Sequence, residues 1–163
     1  MKNKPVIVVC GEPFSIFSEI LFKLYKKQFF KKYKFPIILI GSEKLIYQHA
    51  KKFKINLNIN TIYKNDLSEK KILKKINIIN VDFKFKNKFD IISKKSQNYI
   101  KECFNIALDI MKKKQGHALI NGPISKKAFL DYTYPGVTEY LSNKTNSKGK
   151  EIMLIYNENL SVS

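Results

Sequence analysis

Residues 5–11 read Pro5-Val6-Ile7-Val8-Val9-Cys10-Gly11, and residues 36–41 read Pro36-Ile37-Ile38-Leu39-Ile40-Gly41. Each is an unbroken aliphatic run that a glycine closes, with no alternation of polar and apolar positions. A strand apolar at every position is buried on both faces, as strands are in a parallel sheet covered by helices. The intervening chain fits that reading. From Ser15 onward, Ile16, Ile20, Leu21, Leu24 and Tyr25 recur at helical spacing, and lysines take over toward the C-terminal end, where the helix dipole favours cations. After Gly41, Ser42 is placed to cap a second helix carrying Leu45, Ile46, His49 and Phe53. Strand, helix, strand, helix predicts an α/β fold with helices on both faces of the sheet.

Two further strands are expected in NLNINTIY (56–63) and INIINVDF (76–83), followed by a loop from about Lys84. A long helix is predicted from Ser96 to about Lys114, with Tyr99, Cys103, Phe104, Ala107 and Ile110 on one face and Gly116 as its stop. His117–Ile120 reads as a strand, EIMLIY (151–156) as another, and Leu160–Ser163 as a strand just begun. No linker or repeat divides residues 1–163, so one unit without an internal boundary is expected. A unit that stops inside a strand is expected to be the front part of a longer domain.

Composition narrows the function classes. Hydrophobic residues make up 44% and aromatics 13%, enough for a packed core. No apolar run approaches the roughly 18 residues of a membrane span, and the basic N-terminus lacks a signal-peptide core, so the cytoplasm is the default compartment. The formal charge of +18 suggests a nucleic-acid partner, but all 31 basic residues are lysine. Arginine is the residue that reads guanine edges and grips phosphate bidentately, and none is present. The expectation is therefore no nucleic acid and no membrane. Cys10 and Cys103 lie in apolar segments without a CxxC pattern and are expected to be buried thiols. His49 and His117 have no partners at metal-ligand spacing and read as structural or exposed.

Three loops could carry chemistry. Gly11-Glu12-Pro13 follows the first strand, at the edge where open α/β sheets bind ligands, yet one glycine makes neither a Walker loop nor a GxGxxG turn. Asn121-Gly122-Pro123-Ile124-Ser125-Lys126-Lys127 follows the HALI strand. It reads either as a plain strand-to-helix turn or as an anion site, with Lys126 neutralising charge and Asn121 or Ser125 donating hydrogen bonds. Pro135-Gly136-Val137-Thr138-Glu139-Tyr140 opens a short helix that Thr138 or Gly136 could cap.

These loops, in this order, resemble the 4-hydroxythreonine-4-phosphate dehydrogenase family of pyridoxal phosphate synthesis. GEPFSIFSEI resembles the family's GEPAGIGPE, ALINGPISKKAFL its ALITGPIxK, and YPGVTEYLSNKTNSKGKEIMLIY its FPGHTEFLA with the following strand. PIILIGSEKLIYQHAKKFKI is similar to the family's next strand and helix. The resemblance runs nearly end to end and is most specific from Ala118 to Tyr156. It implies an α/β/α sandwich of the isocitrate/isopropylmalate-dehydrogenase type, here incomplete because the C-terminal half of a two-domain dehydrogenase is absent. It further implies a homodimer and NAD-dependent oxidation, with decarboxylation, of 4-phosphohydroxy-L-threonine. In this chain the substrate contacts would come from Thr138, Val137, Lys126 and Gly11.

The chain departs from the family pattern at several places. Family glycines become Ser15 and Phe17, the GPxHK histidine becomes Ser125, and the GHTE histidine becomes Val137, which can neither donate a hydrogen bond nor move a proton. The family's three metal-binding histidines begin in a TTH segment that would follow residue 163, so ligands for the divalent metal are expected beyond this chain. The nicotinamide-binding segments are expected there too, which leaves the 163 residues alone inactive. The alternatives are a degenerate, non-catalytic remnant of the same family and a basic nucleic-acid-binding domain.

Overall fold

The aliphatic runs at 5–11 and 36–41 lie side by side at the centre of a five-stranded parallel sheet. The computed structural model describes residues 4–68, 71–85, 94–130, 133–156, 159 and 161–162. Strand β1 (Val6–Val9) leads into helix α1 (Phe17–Lys26), a short helix α2 (Phe29–Lys32) and strand β2 (Ile37–Gly41). Helix α3 (Glu43–Lys52), strands β3 (Ile59–Thr61) and β4 (Ile76–Asn80), and the long helix α4 (Lys94–Lys112) follow. Strand β5 (Ala118–Asn121), helices α5 (Lys126–Leu130) and α6 (Val137–Lys144), and strands β6 (Ile155–Tyr156) and β7 (Ser161–Val162) complete the order. The sheet runs β3-β4-β2-β1-β5, and Val6 lies in register between Ile37 and Ala118. The loop expected from about Lys84 falls largely outside the described residues.

Alternate residues of the central strands face opposite layers, as the two-residue period requires. Ile7, Val9, Ile38 and Ile40 pack with Tyr99, Ile100, Cys103, Phe104, Ala107 and Ile110 of α4. Cys10, Leu39, Ile76 and Ile78 pack on the other face with Leu21 and Phe22 of α1 and with Ile46 and Ala50 of α3. The architecture is α/β/α, and every residue assigned to the apolar face of the long helix is buried. Ser42 caps α3 as its sequence position suggests, its Oγ accepting the Leu45 N–H at 3.3 Å. Both cysteines are buried free thiols, and burial pushes Cys103 up to about 12.

Two sequence expectations change. On α1, Leu21 is buried and Leu24 and Tyr25 pack partly buried against the same cluster, as expected, but Ile16 and Ile20 are exposed while Ser18 and Phe22 are buried. Ser18 is drawn in by a contact across to α3, its Oγ lying 2.7 Å from His49 Nδ1. EIMLIY does not join the main sheet. Only Ile155 and Tyr156 are extended in a ladder, paired antiparallel with Val162 and Ser161. Ile152, Met153, Leu154, Ile155 and Tyr156 are all exposed.

Candidate functional site

Strand β1 has β2 on one side and β5 on the other. The chain leaves β1 toward α1 on one face of the sheet, and leaves β5 toward α5, which packs with α4 on the opposite face. Loops that diverge in this way open the crevice at which α/β sheets bind ligands, outside the carboxyl ends of the strands. The two loops are Gly11-Glu12-Pro13 and Gly122-Pro123-Ile124-Ser125.

They are locked together through the backbone. The Gly122 N–H donates to the Val9 carbonyl at 2.7 Å, and the Glu12 N–H donates to the Pro123 carbonyl at 2.9 Å. Gly11 has φ +78°, a conformation that favours glycine, and a Cβ there would lie 2.4 Å from the Pro123 oxygen. A Cβ on Gly122 would lie 2.4 Å from the Cys10 carbonyl oxygen. Both glycines are therefore required by close backbone approach. On the far side of Gly11, Ser15 Oγ donates to the Glu12 carbonyl at 2.9 Å and closes the turn into α1.

The structure brings Gly11 and the Gly122-Pro123 segment into contact, and places Lys126 at the exposed first position of α5. Val137 and Thr138 begin α6, which is held on α5 and α4 by Tyr140 against Phe129 (5.1 Å) and Phe104 (5.6 Å). Gly136 takes the cap position there, and Thr138 lies half-buried in the first turn. Val137 packs toward the apolar cluster that also receives Ile124 and Leu141. The lysine-bearing loop and the Thr138 helix are thus joined through α5, while the Gly11 turn meets them by way of Pro123.

Glu12 is the residue that sequence reasoning passed over. Its side chain is 94% buried, since 6% of its surface remains accessible, and among the described residues neither carboxylate oxygen has a hydrogen-bonding partner. Burial pushes its pKa up from the ordinary carboxylate range, while the Ser125 backbone N–H pulls more weakly the other way. Burial is the larger of the two influences. The available signal was an acid directly after a buried strand.

This shift has a pH consequence. The folded state favours the neutral carboxyl, so Glu12's contribution to stability is fully present below the unfolded pKa. It is lost as pH rises through the folded value. Glu12→Gln keeps the shape without the ionisation. The stability of the wild type relative to this variant is expected to fall as pH rises above the ordinary carboxylate range, read as the difference in urea midpoints. An unchanged difference would mean that Glu12 titrates normally.

The described residues do not fit a divalent metal. No three of His, Cys, Asp or Glu converge among them. His49 faces Ser18, and His117 stacks on Phe35 at 4.5 Å. At the Gly11 turn the backbone is packed against the Pro123 carbonyl, which leaves no glycine-lined cradle for a dinucleotide there. No chemical step is assigned to either group in this chain. No helix among the described residues is long and apolar enough to cross a membrane.

Comparisons with known proteins agree with this fold. A 4-hydroxythreonine-4-phosphate dehydrogenase of Sulfurihydrogenibium sp. (strain YO3AOP1) is 29% identical over 150 residues, covering 91% of this chain and 45% of the relative. The solved structure of a protein described as a putative 4-hydroxythreonine-4-phosphate dehydrogenase from Salmonella typhimurium superposes with a TM-score of 0.76 at 20% identity. It covers 98% of this chain and 50% of its own. A Burkholderia phymatum enzyme of the same name gives 0.76 at 17% identity, over 98% of this chain and 48% of its own. The chain thus spans about half the length of these relatives. The model of one family, described as pyridoxal phosphate biosynthetic protein PdxA, matches residues 33–163. With most of its length so matched, the chain belongs to the PdxA family.

Proposed function

We propose that this chain supplies part of the substrate cleft for NAD-dependent oxidation, with decarboxylation, of 4-phosphohydroxy-L-threonine in pyridoxal phosphate biosynthesis. The observation that carries the reading is the interlock of the β1 and β5 loops at the point where the sheet order reverses, in a chain of this family. Lys126 is exposed beside that interlock and would neutralise the substrate phosphate. Thr138 would donate a hydrogen bond from the first turn of α6, and Gly11 and Gly122 would hold the loops close enough to shape the cleft. The hydride acceptor, a divalent metal and a second subunit would be engaged by residues other than those described. The 163 residues alone are expected to bind substrate without forming NADH.

The test compares two lysines. Lys126→Ala should weaken binding of 4-phosphohydroxy-L-threonine by roughly tenfold or more, the effect of losing a charge-assisted contact of about 1.5–3 kcal/mol. Lys112→Ala removes the same charge from the exposed end of α4 and should change little, because solvent and salt screen it. Equal losses in a calorimetric titration would reduce the Asn121–Lys127 loop to a simple turn.

A second reading draws on Val137. Its side chain packs toward the apolar cluster where the family's pattern has histidine, which favours a non-catalytic remnant of the fold. If Val137→His left ligand binding unchanged while the lysine variants also behaved alike, the remnant would be the better description.

A further inference from the structure

The opposite edge of the sheet carries a second concavity, remote from the β1/β5 crevice. It is a groove of about 530 Å³ between the C-terminal ends of α1 and α3 and the segment that enters β4. Lys26, Lys31, Lys54, Lys74 and Lys75 line it, and none of the described lining residues is Asp or Glu. Tyr25, Phe30 and Ile55 supply an apolar wall. Surface lysine is common in this chain, so the charge count alone decides nothing. The convergence of five lysines from four segments on one hollow, without a carboxylate among its described lining residues, is more specific.

The backbone that carries these lysines is fixed. Asn77, fully buried in β4, donates to the carbonyls of Leu73 (2.8 Å) and Lys75 (3.0 Å) and accepts the Leu73 N–H at 2.9 Å. Lys74 and Lys75 are thereby pinned on both sides. Lys54 has φ +52° in the turn that ends α3, where its N–H donates to the Lys51 carbonyl and the Ile55 N–H donates to the Ala50 carbonyl. This is the left-handed helix ending whose hydrogen bonds hold the following residue in place. Asn58 joins the two sides: its Oδ1 accepts from Lys75 Nζ at 2.8 Å, and its N–H donates to Tyr25 Oη at 3.2 Å. The aromatic wall and one of the cations are therefore oriented before any ligand arrives.

Five cations held around one hollow repel one another, and an anion with several charges would relieve that repulsion. Lysine acts on phosphate as a point charge with three rotatable donors, so it tolerates flexible phosphate chains better than planar bidentate targets. The volume lies within the range of small-ligand sites, and the mixture of apolar wall and few polar groups is typical of them. We propose that this groove is a second, independent site that binds an oligophosphate, either free or as the tail of a nucleoside triphosphate whose base lies on the Tyr25–Phe30 wall.

The experiment uses the whole 163-residue chain and two probes, tripolyphosphate and ATP, titrated by calorimetry at 50 mM and 200 mM salt. One-to-one binding is expected, weakening as salt rises. Lys31→Ala/Lys74→Ala should weaken it at least tenfold. Lys148→Ala/Lys150→Ala, which removes the same charge from exposed positions in the segment between α6 and β6, should stay within twofold. Circular dichroism of both double variants checks that they are folded. ATP binding more tightly than tripolyphosphate would support the site and assign the aromatic wall to the base. Equal affinity would support it as a site for free oligophosphate. Absence of binding, equal losses in the two double variants, or several chains binding along a poly(U) strand more tightly than either probe binds would each overturn it.

Discussion

Gly11→Ala is expected to destabilise the protein far more than Gly149→Ala, although the two glycines have nearly the same backbone conformation. Gly11 has φ +78° and Gly149 φ +77°. Placing an L side chain in that region costs roughly 1–2 kcal/mol, and both variants meet this cost. The surroundings then separate them. A Cβ at Gly149 has nothing within 4 Å, whereas at Gly11 it would lie 2.4 Å from the Pro123 oxygen and 2.9 Å from the Gly122 carbonyl carbon. Both obstacles are backbone, so no rotamer change relieves them. The loops must part, and the Glu12 N–H to Pro123 carbonyl bond of 2.9 Å is the first contact at risk. An added cost of about 2 kcal/mol or more is expected, within the upper part of the range for single substitutions. Thermal melts of the two variants decide it, because about 1 kcal/mol moves a domain of this size by roughly 2–4 °C. If both lose the same few degrees, the two loops have room to separate and the interlock is not rigid.

The same pair of loops shows where sequence reasoning reaches its limit. The strands β1 and β2 were legible because their residues are apolar at every position, which only a doubly covered sheet accommodates. The buried face of α4 was legible because Tyr99, Cys103, Phe104, Ala107 and Ile110 repeat at the helical period. Ser42 was legible because a capping hydroxyl acts over three residues. Each of these is a local signal. The contact of Gly11 with Pro123 joins residues more than a hundred positions apart, and no periodicity reports it. The sequence marks both glycines as turn residues without saying that each is required by the other's backbone.

Helix α1 and the 151–156 segment differed for a related reason. The helical spacing on α1 placed Ile16 and Ile20 with Leu21, Leu24 and Tyr25, but only the last three pack on the core, while Ser18 is buried against His49. EIMLIY has the composition of a buried strand and is exposed in the structure. Composition describes the environment a segment suits, and pairing with a neighbour decides whether it finds one. Glu12 was passed over because an acid beside a turn is ordinarily solvated. Its burial comes with contacts from the β5 loop, the Pro123 carbonyl accepting its N–H and the Ser125 backbone acting on its carboxyl, which again is long-range.

Phe104→Ala is expected to remove a large part of the protein's stability and to disturb the candidate site from a distance. Phe104 is fully buried on α4, stacked on Phe129 of α5 at 5.4 Å and edge-on to Tyr140 of α6 at 5.6 Å. Phe129 and Tyr140 themselves meet edge-to-face at 5.1 Å, so the three rings close a triangle that ties three helices together. Removing a buried phenyl group typically costs about 3–5 kcal/mol, from lost transfer energy and from the cavity left behind. The melting temperature should fall by roughly 6–20 °C on that basis. Phe104→Leu refills part of the volume and should recover a substantial part of the loss. The consequence for the site follows from chain direction. Lys126 opens the helix that carries Phe129, and Thr138 lies in the first turn of the helix that carries Tyr140. Loosening the triangle therefore frees both helices at once, while Gly11 and Gly122 stay locked by their own backbone contacts. Amide exchange should consequently quicken in residues 126–130 and 137–144 more than in β1 and β5, with Phe104→Leu intermediate. Uniform acceleration throughout the sheet would show instead that α4 is a common support for the whole domain, without a particular hold on the helices of the site.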